Sequence, residues 1–300
     1  MEPWILLTLL AASAQTVRFM LQKHLKSTRL STAGATFARF VYSAPLVALI
    51  AVIYASSSGQ GAPDIPPEFW IYAVAGGLSQ IVATMCVVAL FAHRNFAVGV
   101  TFKKTEVILS ALIGLIVLGD AVSWQVMLAI LIGLVGVILL SDPPRATGPL
   151  FRRVFNRAAG LGLASGLLFG ISAVGYRGAS LSLADGDVFY RAIVTLAFVT
   201  AFQTVVMSLW LHWREKGEIA RVIDSWRVSG LVGLTSMVGS IGWFTAFTLQ
   251  TAALVKAVGQ IELILSLLVS IYVFGERTTR REIQGLLFLA VSLILIILWT

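Results

Sequence analysis

The sequence predicts an all-α membrane protein whose ten transmembrane helices form two inverted five-helix repeats. Three features support this fold class: the composition, the spacing of the apolar segments, and an internal repeat whose loops alternate in charge. Of the 300 residues, 58% are hydrophobic and only 12% are charged, and the mean hydropathy is +0.91. Soluble domains carry about 25% charged residues, so this composition excludes an ordinary soluble protein.

The net charge of +8 admits two interpretations. Nucleic-acid binding is one, but basic loops on the cytoplasmic side of a membrane protein give the same excess. We therefore expect membrane lipids and no nucleic acid as partners. The single cysteine, Cys86, excludes an intrachain disulfide. Residues 1–15 resemble a signal peptide, but Glu2 and the lack of a basic residue before the apolar core favour a retained first helix.

Ten apolar segments, each long enough to cross a bilayer, follow one another along the chain. A bilayer core needs about 20 apolar residues in a helix, and these segments lack the alternation of a membrane barrel. The predicted helices are 4–22, 31–55, 69–92, 97–118, 122–140, 158–180, 187–212, 228–249, 252–274 and 282–299. Longer polar breaks follow the second, fifth and seventh helices, and the break after the fifth divides the chain in two.

The two halves of the chain repeat one another. An offset of 156 residues superposes 77–130 on the second half without a gap, and matches Glu106 with Glu262 and Ser110 with Ser266. Such matches carry more weight than those of apolar residues, which are common in any membrane helix. We therefore predict a first five-helix repeat at 1–141, a linker loop at 142–157 and a second five-helix repeat at 158–300.

Loop charge indicates that the second repeat is inverted. The loops after the odd-numbered helices hold about fifteen Lys and Arg residues, whereas those after the even-numbered helices up to the eighth hold essentially none. The positive-inside rule then places both termini outside the cytoplasm. Inverted repeats are typical of secondary transporters, which bind their substrates near the midplane between the repeats.

Two glutamates are the sharpest candidate site residues, because ionisable groups inside membrane helices are costly and usually functional. Glu106 and Glu262 each head a long apolar run. Lys103 and Ser110 share a helical face with Glu106, and Ser266 shares one with Glu262. These faces could bind substrate or a proton. The alternative is a structural ion pair, for example between Glu106 and Lys103.

Two arginines occupy equivalent places near the starts of the second and seventh helices. Arg39 and Arg191 could each clamp a carboxylate or phosphate through bidentate hydrogen bonds. The alternative is that they reach the interface or pair with the glutamates. Interfacial placement by snorkelling is the expectation for four other basic residues: Arg18, Lys104, Arg177 and Lys256.

The third and eighth helices are rich in small and polar residues, including Gln80, and the eighth holds Trp243 at its middle. Gln80 could hydrogen-bond a substrate, and Trp243 could act as a lid or stacking surface. Close helix packing explains the small residues equally well. The sequence contains no HExxH, Walker A or GxSxG motif. We therefore expect no enzyme, no catalytic residue, no metal site and no cofactor.

The repeated segments TEVILSALIGLIVLGD and IELILSLLVSIYVFGE, each with a buried glutamate and a closing Gly-Asp or Gly-Glu turn, resemble the EamA family. This family belongs to the drug/metabolite transporter superfamily, and the resemblance covers essentially the whole chain. It implies a secondary transporter of the inner membrane that often exports amino acids or related metabolites. Many members follow the glutamate with proline, whereas this chain has Val107 and Leu263.

The sequence therefore predicts an exporter of small metabolites, such as amino acids, in a bacterial inner (plasma) membrane. Transport would proceed by alternating access, with Glu106 or Glu262 as the group that couples it to protons. Two alternatives remain: a flippase for a lipid-linked headgroup, and a non-transporting scaffold or sensor. The expected partners are a small-molecule substrate and membrane lipids, with the protein a monomer or homodimer.

Overall fold

The structure, a computed structural model, describes residues 2–90, 103–141, 157–265 and 280–299. Within these ranges the chain is helical and contains no strand. The helices are α1 Pro3–Thr28, α2 Thr32–Ser58, α3 Pro67–Leu90, α4 Glu106–Leu118, α5 Trp124–Ser141, α6 Arg157–Ser182, α7 Val188–Arg214, α8 Glu218–Asp224, α9 Trp226–Leu249, α10 Ala252–Val258 and α11 Arg280–Trp299.

Five of these helices, α1, α2, α3, α7 and α9, are long and apolar enough to cross a membrane, and α4, α5 and α11 are shorter apolar helices. The five contain 24 to 27 residues each, and a helix of that length spans about 36–40 Å, more than the hydrocarbon core of a bilayer. The short helix α8 lies in the charged stretch between α7 and α9, where the sequence predicted only a loop.

Polarity is distributed in the opposite sense to that of a soluble protein. Large apolar side chains point outward, such as Ile116 at 81% exposure and Leu209 at 67%. Charged side chains lie inside, such as Lys104 at 2% and Arg39 at 4%. Apolar side chains are stable in contact with hydrocarbon, whereas placing a charged side chain there is costly. This distribution is therefore that of a protein surrounded by lipid.

The most extensive helix contacts join the first half of the chain to the second. The contact is most extensive between α3 and α6, and then between α1 and α9. The next most extensive contacts are those of α5 with α11 and of α2 with α7. Glycines allow the backbones to approach: a Cβ on Gly175 would lie 2.9 Å from Tyr72 O, and one on Gly242 would lie 2.8 Å from Leu7 O. Small residues at such crossings are typical of membrane helix packing.

Candidate functional site

The helices are interrupted directly before both glutamates. Lys103 is helical, residues 104–105 form a turn, and α4 begins at Glu106. In the second half α10 ends at Val258, residues 259–260 form a turn, and helix resumes at 261. The two turns are 155 residues apart, within one residue of the 156-residue offset of the sequence repeat. Neither turn contains a proline, and Val107 and Leu263 follow the two glutamates.

Glu106 and Glu262 are both buried and both bind lysines. Lys103 lies between them, with Nζ 3.4 Å from Glu106 Oε1 and 3.6 Å from Glu262 Oε1. Lys104 Nζ also binds Glu262 Oε1, and Lys256 Nζ lies 3.6 Å from Glu106 Oε2. Lysines of the first half thus bind the glutamate of the second, and a lysine of the second half binds the glutamate of the first. We call these five residues the crossed ion-pair cluster.

A glutamine on α1 extends this cluster. Gln15 donates from Nε2 to Glu262 Oε2 at 2.6 Å and accepts at Oε1 from Arg18 Nη2 at 3.3 Å. The Arg18 guanidinium also lies 4.7 Å from the ring centroid of Phe19. A chain of contacts therefore runs from Arg18 on α1 to the second-half glutamate.

A small cavity lies beside the cluster, between α1, α2, α3, α6, α9 and α10. Its free volume is about 20 Å³, room for about one water molecule. Its polar lining consists of two cations, two amides and two serines: Arg39, Lys256, Gln15, Gln80, Ser172 and Ser240. Its aromatic wall consists of Phe169, Tyr176, Trp243, Phe244 and Phe247. The conformation is therefore closed around a space that combines cations, amides and aromatic rings.

Three predicted site residues meet at this cavity. Arg39 is 4% exposed and donates from Nη1 to Thr84 Oγ1 at 3.2 Å. Gln80 accepts at Oε1 from Gln203 Nε2 at 3.0 Å. Trp243 stacks beside Phe247 and receives Lys256 over its ring, with Nζ 5.0 Å from the centroid.

The other predicted site residues lie elsewhere. Ser110 is buried against α6, where a Cβ on Gly170 would lie 3.4 Å from its Oγ. Arg191 is partly buried, acts electrostatically on Asp187, and does not line the cavity. Ser266 lies outside the described residues. Arg39 and Arg191 occupy equivalent places in the sequence repeat, but Arg39 lines the cavity and Arg191 does not.

Three of the four basic residues expected at the interface are buried inside the protein. Arg18, Lys104 and Lys256 are only 3%, 2% and 8% exposed. The snorkelling expectation was wrong for these three, because each finds a carboxylate or amide partner within the bundle. Arg177 is partly buried, binds both Asp120 oxygens, at 2.7 and 3.2 Å, and donates to the carbonyls of Phe247 and Gln250.

Sequence reasoning also missed a buried glutamine on α7. Gln203 Nε2 donates to Gly77 O at 3.0 Å and Gln80 Oε1 at 3.0 Å, and lies 3.2 Å from the Tyr176 hydroxyl. It thereby holds Gln80 and Tyr176 in place at the cavity. In the sequence, Gln203 and Gln15 are each recognisable as a glutamine inside an apolar helix. Neither residue was predicted to be part of the site.

Comparison with known proteins points to a transporter family. The sequence model of the EamA-like transporter family matches residues 2–142. No curated protein matches this chain. A solved structure described as "Crystal structure of protein" is similar over 97% of this chain and 99% of its own, with a TM-score of 0.65 and 14% sequence identity. At that identity the similarity establishes a shared fold and nothing about activity.

Proposed function

The chain belongs, through residues 2–142, to the EamA-like transporter family of the drug/metabolite transporter superfamily, and from this premise we propose that it is a secondary transporter. It exports small metabolites, such as amino acids or related compounds, by alternating access. It lies in the bacterial inner membrane, with ten transmembrane helices in two inverted five-helix repeats, 1–141 and 158–300, joined by the linker 142–157.

The observation that carries this proposal is the crossed ion-pair cluster. Alternating access in such folds rocks one repeat against the other around a fixed site, next to interrupted helices. The cluster lies at two helix breaks, joins the two halves and adjoins the cavity. Lys103 is within reach of both glutamates, so it can change partner when the halves move. The ion pairs of the cluster therefore stabilise the closed conformation.

The pairing of helices supports the inverted repeats. If an axis relates the two halves, a contact between the first helix of one and the third helix of the other must occur twice. Among the predicted transmembrane helices of the second repeat, α6 is the first and α9 is the third. The contacts α1–α9 and α3–α6 are therefore the two that the axis requires, and they are the most extensive in the described residues. The contacts α2–α7 and α5–α11 join helices that the axis would exchange.

Proton coupling follows from the same cluster. A proton taken up by Glu106 removes the negative charge that Lys103 and Lys256 face, and a proton on Glu262 does the same for Lys103 and Lys104. Either event weakens the contact between the halves. We propose that one of these carboxylates carries the coupling proton.

Reconstitution into liposomes tests this function. Purified protein should drive uptake of labelled substrates from a panel of amino acids and carboxylic acids, and an imposed pH gradient should increase the rate. Glu106→Gln should abolish the uptake, whereas Glu68→Gln, which alters an exposed carboxylate at the start of α3, should leave it unchanged. Equal uptake by wild type and Glu106→Gln would refute the role of this carboxylate.

A non-transporting scaffold is the second candidate, because both glutamates are paired as that hypothesis requires. Absence of uptake for the whole panel, by protein shown to be folded, would favour it. A flippase would need a lateral opening to the cavity, and nothing in the described residues favours one.

A further inference from the structure

We propose that the cavity is an anion site and that the substrates are organic anions with a small apolar, planar body. This inference rests on the proposed function and narrows its substrate class. Arg39 and Lys256 receive the anionic group, a carboxylate or a phosphate, and the aromatic wall receives the body. Of the small metabolites in the proposed function, zwitterionic amino acids then bind more weakly than anions without an ammonium group, and organic cations bind most weakly.

Charge balance around the cavity is the first argument. In the transmembrane part of the described residues, the buried cations in and around the crossed ion-pair cluster are Arg18, Arg39, Lys103, Lys104 and Lys256. The buried carboxylates there are Glu106 and Glu262 alone, so basic groups outnumber carboxylates by five to two. Burying a charge without a counter-charge is costly, and an anionic ligand would remove much of that cost.

The geometry of Arg39 is the second argument. A guanidinium carries five N–H donors in a planar fork that fits carboxylate and phosphate oxygens. Arg39 lines the cavity, and its hydrogen bond to Thr84 uses a neutral hydroxyl. Among the described residues no carboxylate lies within ion-pair distance of it, while Lys256 is near enough to repel it. An anion between these two cations would meet both.

The ion pairs of the glutamates are the third argument. Glu106 Oε1 lies 3.4 Å from Lys103 Nζ, Glu106 Oε2 lies 3.6 Å from Lys256 Nζ without a hydrogen bond, and the oxygens of Glu262 face lysines and Gln15. Among the described residues, no carboxylate lines the cavity to receive a substrate ammonium group. The aromatic rings could bind an ammonium through cation–π contacts, but Lys256 already lies over Trp243, Phe169 and Phe247.

The aromatic wall defines the rest of the ligand. Tyr176 and Phe244 stack with ring centroids 4.2 Å apart, and Trp243 and Phe247 stack at 5.8 Å. Flat faces of this kind favour a planar or hydrocarbon body. The present volume, about 20 Å³, holds about one water, so the ligand must enter an opened conformation.

Four ligands that differ only in their charged groups test this inference. Phenylalanine is the zwitterion, hydrocinnamate lacks its amino group, phenethylamine lacks its carboxylate, and hydrocinnamyl alcohol carries no charge. Binding is measured by isothermal titration calorimetry on the full chain in detergent. Hydrocinnamate should bind about tenfold or more tightly than phenylalanine and the alcohol, a factor that one charge-assisted hydrogen bond provides, and phenethylamine should bind most weakly. Tighter binding of phenylalanine or phenethylamine, equal binding of all four, or no saturable binding of any would overturn the proposal.

Substitutions locate the anion site. Arg39→Gln should reduce the affinity for hydrocinnamate about tenfold or more and leave that for the alcohol unchanged, with Arg39→Lys intermediate. Arg191→Gln is the matched control, since Arg191 is the repeat counterpart outside the cavity, and should bind as wild type does. A larger effect of Arg191→Gln than of Arg39→Gln would contradict the assignment. If Arg39→Gln does not fold, the ligand series on the wild-type protein alone decides.

The proposed function and this inference can fail separately. Preferential binding of hydrocinnamate without uptake by liposomes leaves the anion site intact and removes the transport function. Uptake that prefers phenethylamine or phenylalanine keeps the transport function and removes the anion site.

Discussion

At the scale of single residues, the crossed ion-pair cluster determines how the protein holds its buried charge. Each glutamate faces at least two lysines, and each lysine approaches aromatic rings or carboxylates within the bundle. Buried pairs of this kind add little net stability over apolar packing. Removing one partner is costly, however, because the remaining charge is then buried alone.

Glu262→Gln should therefore destabilise the protein by about 3–5 kcal/mol, because Lys104 loses its carboxylate. Thermal or denaturant unfolding in detergent measures this. Glu68→Gln, at an exposed position, should change stability by less than about 0.5 kcal/mol. Adding Lys104→Met to Glu262→Gln should recover part of the loss. If the double variant loses as much as the two single variants together, the direct pairing is wrong.

A second prediction concerns Asp187, which precedes α7 outside the membrane-spanning segments. Its carboxylate caps the helix by accepting from Tyr190 N at 2.9 Å, and it accepts from the Tyr54 hydroxyl at 2.8 Å. Burial raises the pKa of this carboxyl, but the hydrogen bonds outweigh burial and the pKa is lowered. Its stabilisation is thus fully present above the ordinary carboxyl pKa and is lost as pH falls through the lowered value.

Asp187→Ala should cost about 0.5–2 kcal/mol near neutral pH, as loss of a helix cap does. The difference from wild type should shrink on acidification. Unfolding curves measured from neutral to acidic pH test both statements. Asp185→Ala, in the same turn, removes a carboxylate that makes no such cap and should have little effect. A loss at Asp187 that is constant over this pH range would contradict the capping role.

The sequence predicted some of these residues well and others poorly. Glu106, Glu262, Arg39, Gln80 and Trp243 were recognised because polar or charged groups in apolar segments are conspicuous, and the structure brings them to one region. Two lysines of the cluster, at positions 104 and 256, were misplaced at the interface. The snorkelling expectation failed because the carboxylates that bind these lysines lie on distant parts of the chain.

At the scale of the elements, the interruptions before Glu106 and Glu262 matter most. A helix that starts at Glu106 places its own N-terminus within the bundle, where the carboxylate interacts favourably with the helix dipole. The sequence has no proline at either break. The second break contains Gly259, whereas the first, at residues 104–105, contains neither glycine nor proline.

Close helix crossings give a prediction at this scale. Gly242→Ala should destabilise the protein by about 1–3 kcal/mol, because the new Cβ would lie 2.8 Å from Leu7 O and 3.0 Å from the Ala11 Cβ. Gly230→Ala lies on the same helix with nothing within 4 Å, and should be neutral or stabilising by up to about 1 kcal/mol. Thermal unfolding in detergent compares them. Equal effects of the two would show that α1 and α9 do not cross closely at this glycine.

Element boundaries were predicted to within a few residues for most helices but not for α1, and the helices predicted as continuous at 97–118 and 252–274 are interrupted by turns at 104–105 and 259–260. The prediction ended the first helix at residue 22, whereas α1 continues to Thr28. The additional turns carry Lys23 and Lys26, whose charges ended the apolar segment without ending the helix. Apolar length reports the part of a helix inside the membrane, and the helix itself extends beyond it.

At the scale of the whole molecule, helix contacts and ion pairs hold the two halves together. The leading contacts pair helices of the first half with helices of the second, and the crossed ion-pair cluster connects the two near the cavity. A fold built this way can change conformation by moving one half against the other. The repeat stays a prediction from the sequence, and only the structure could reveal which helices of the two halves pack together.

Counterflow in proteoliposomes tests the central claim, that one site between the halves opens alternately to either side. Vesicles loaded with unlabelled hydrocinnamate are diluted into a trace of labelled hydrocinnamate. We predict transient accumulation of label above its equilibrium level, abolished by Glu106→Gln and retained by Glu68→Gln. Simple equilibration without an overshoot, or an overshoot that persists in Glu106→Gln, would contradict a mechanism in which the crossed ion-pair cluster controls access.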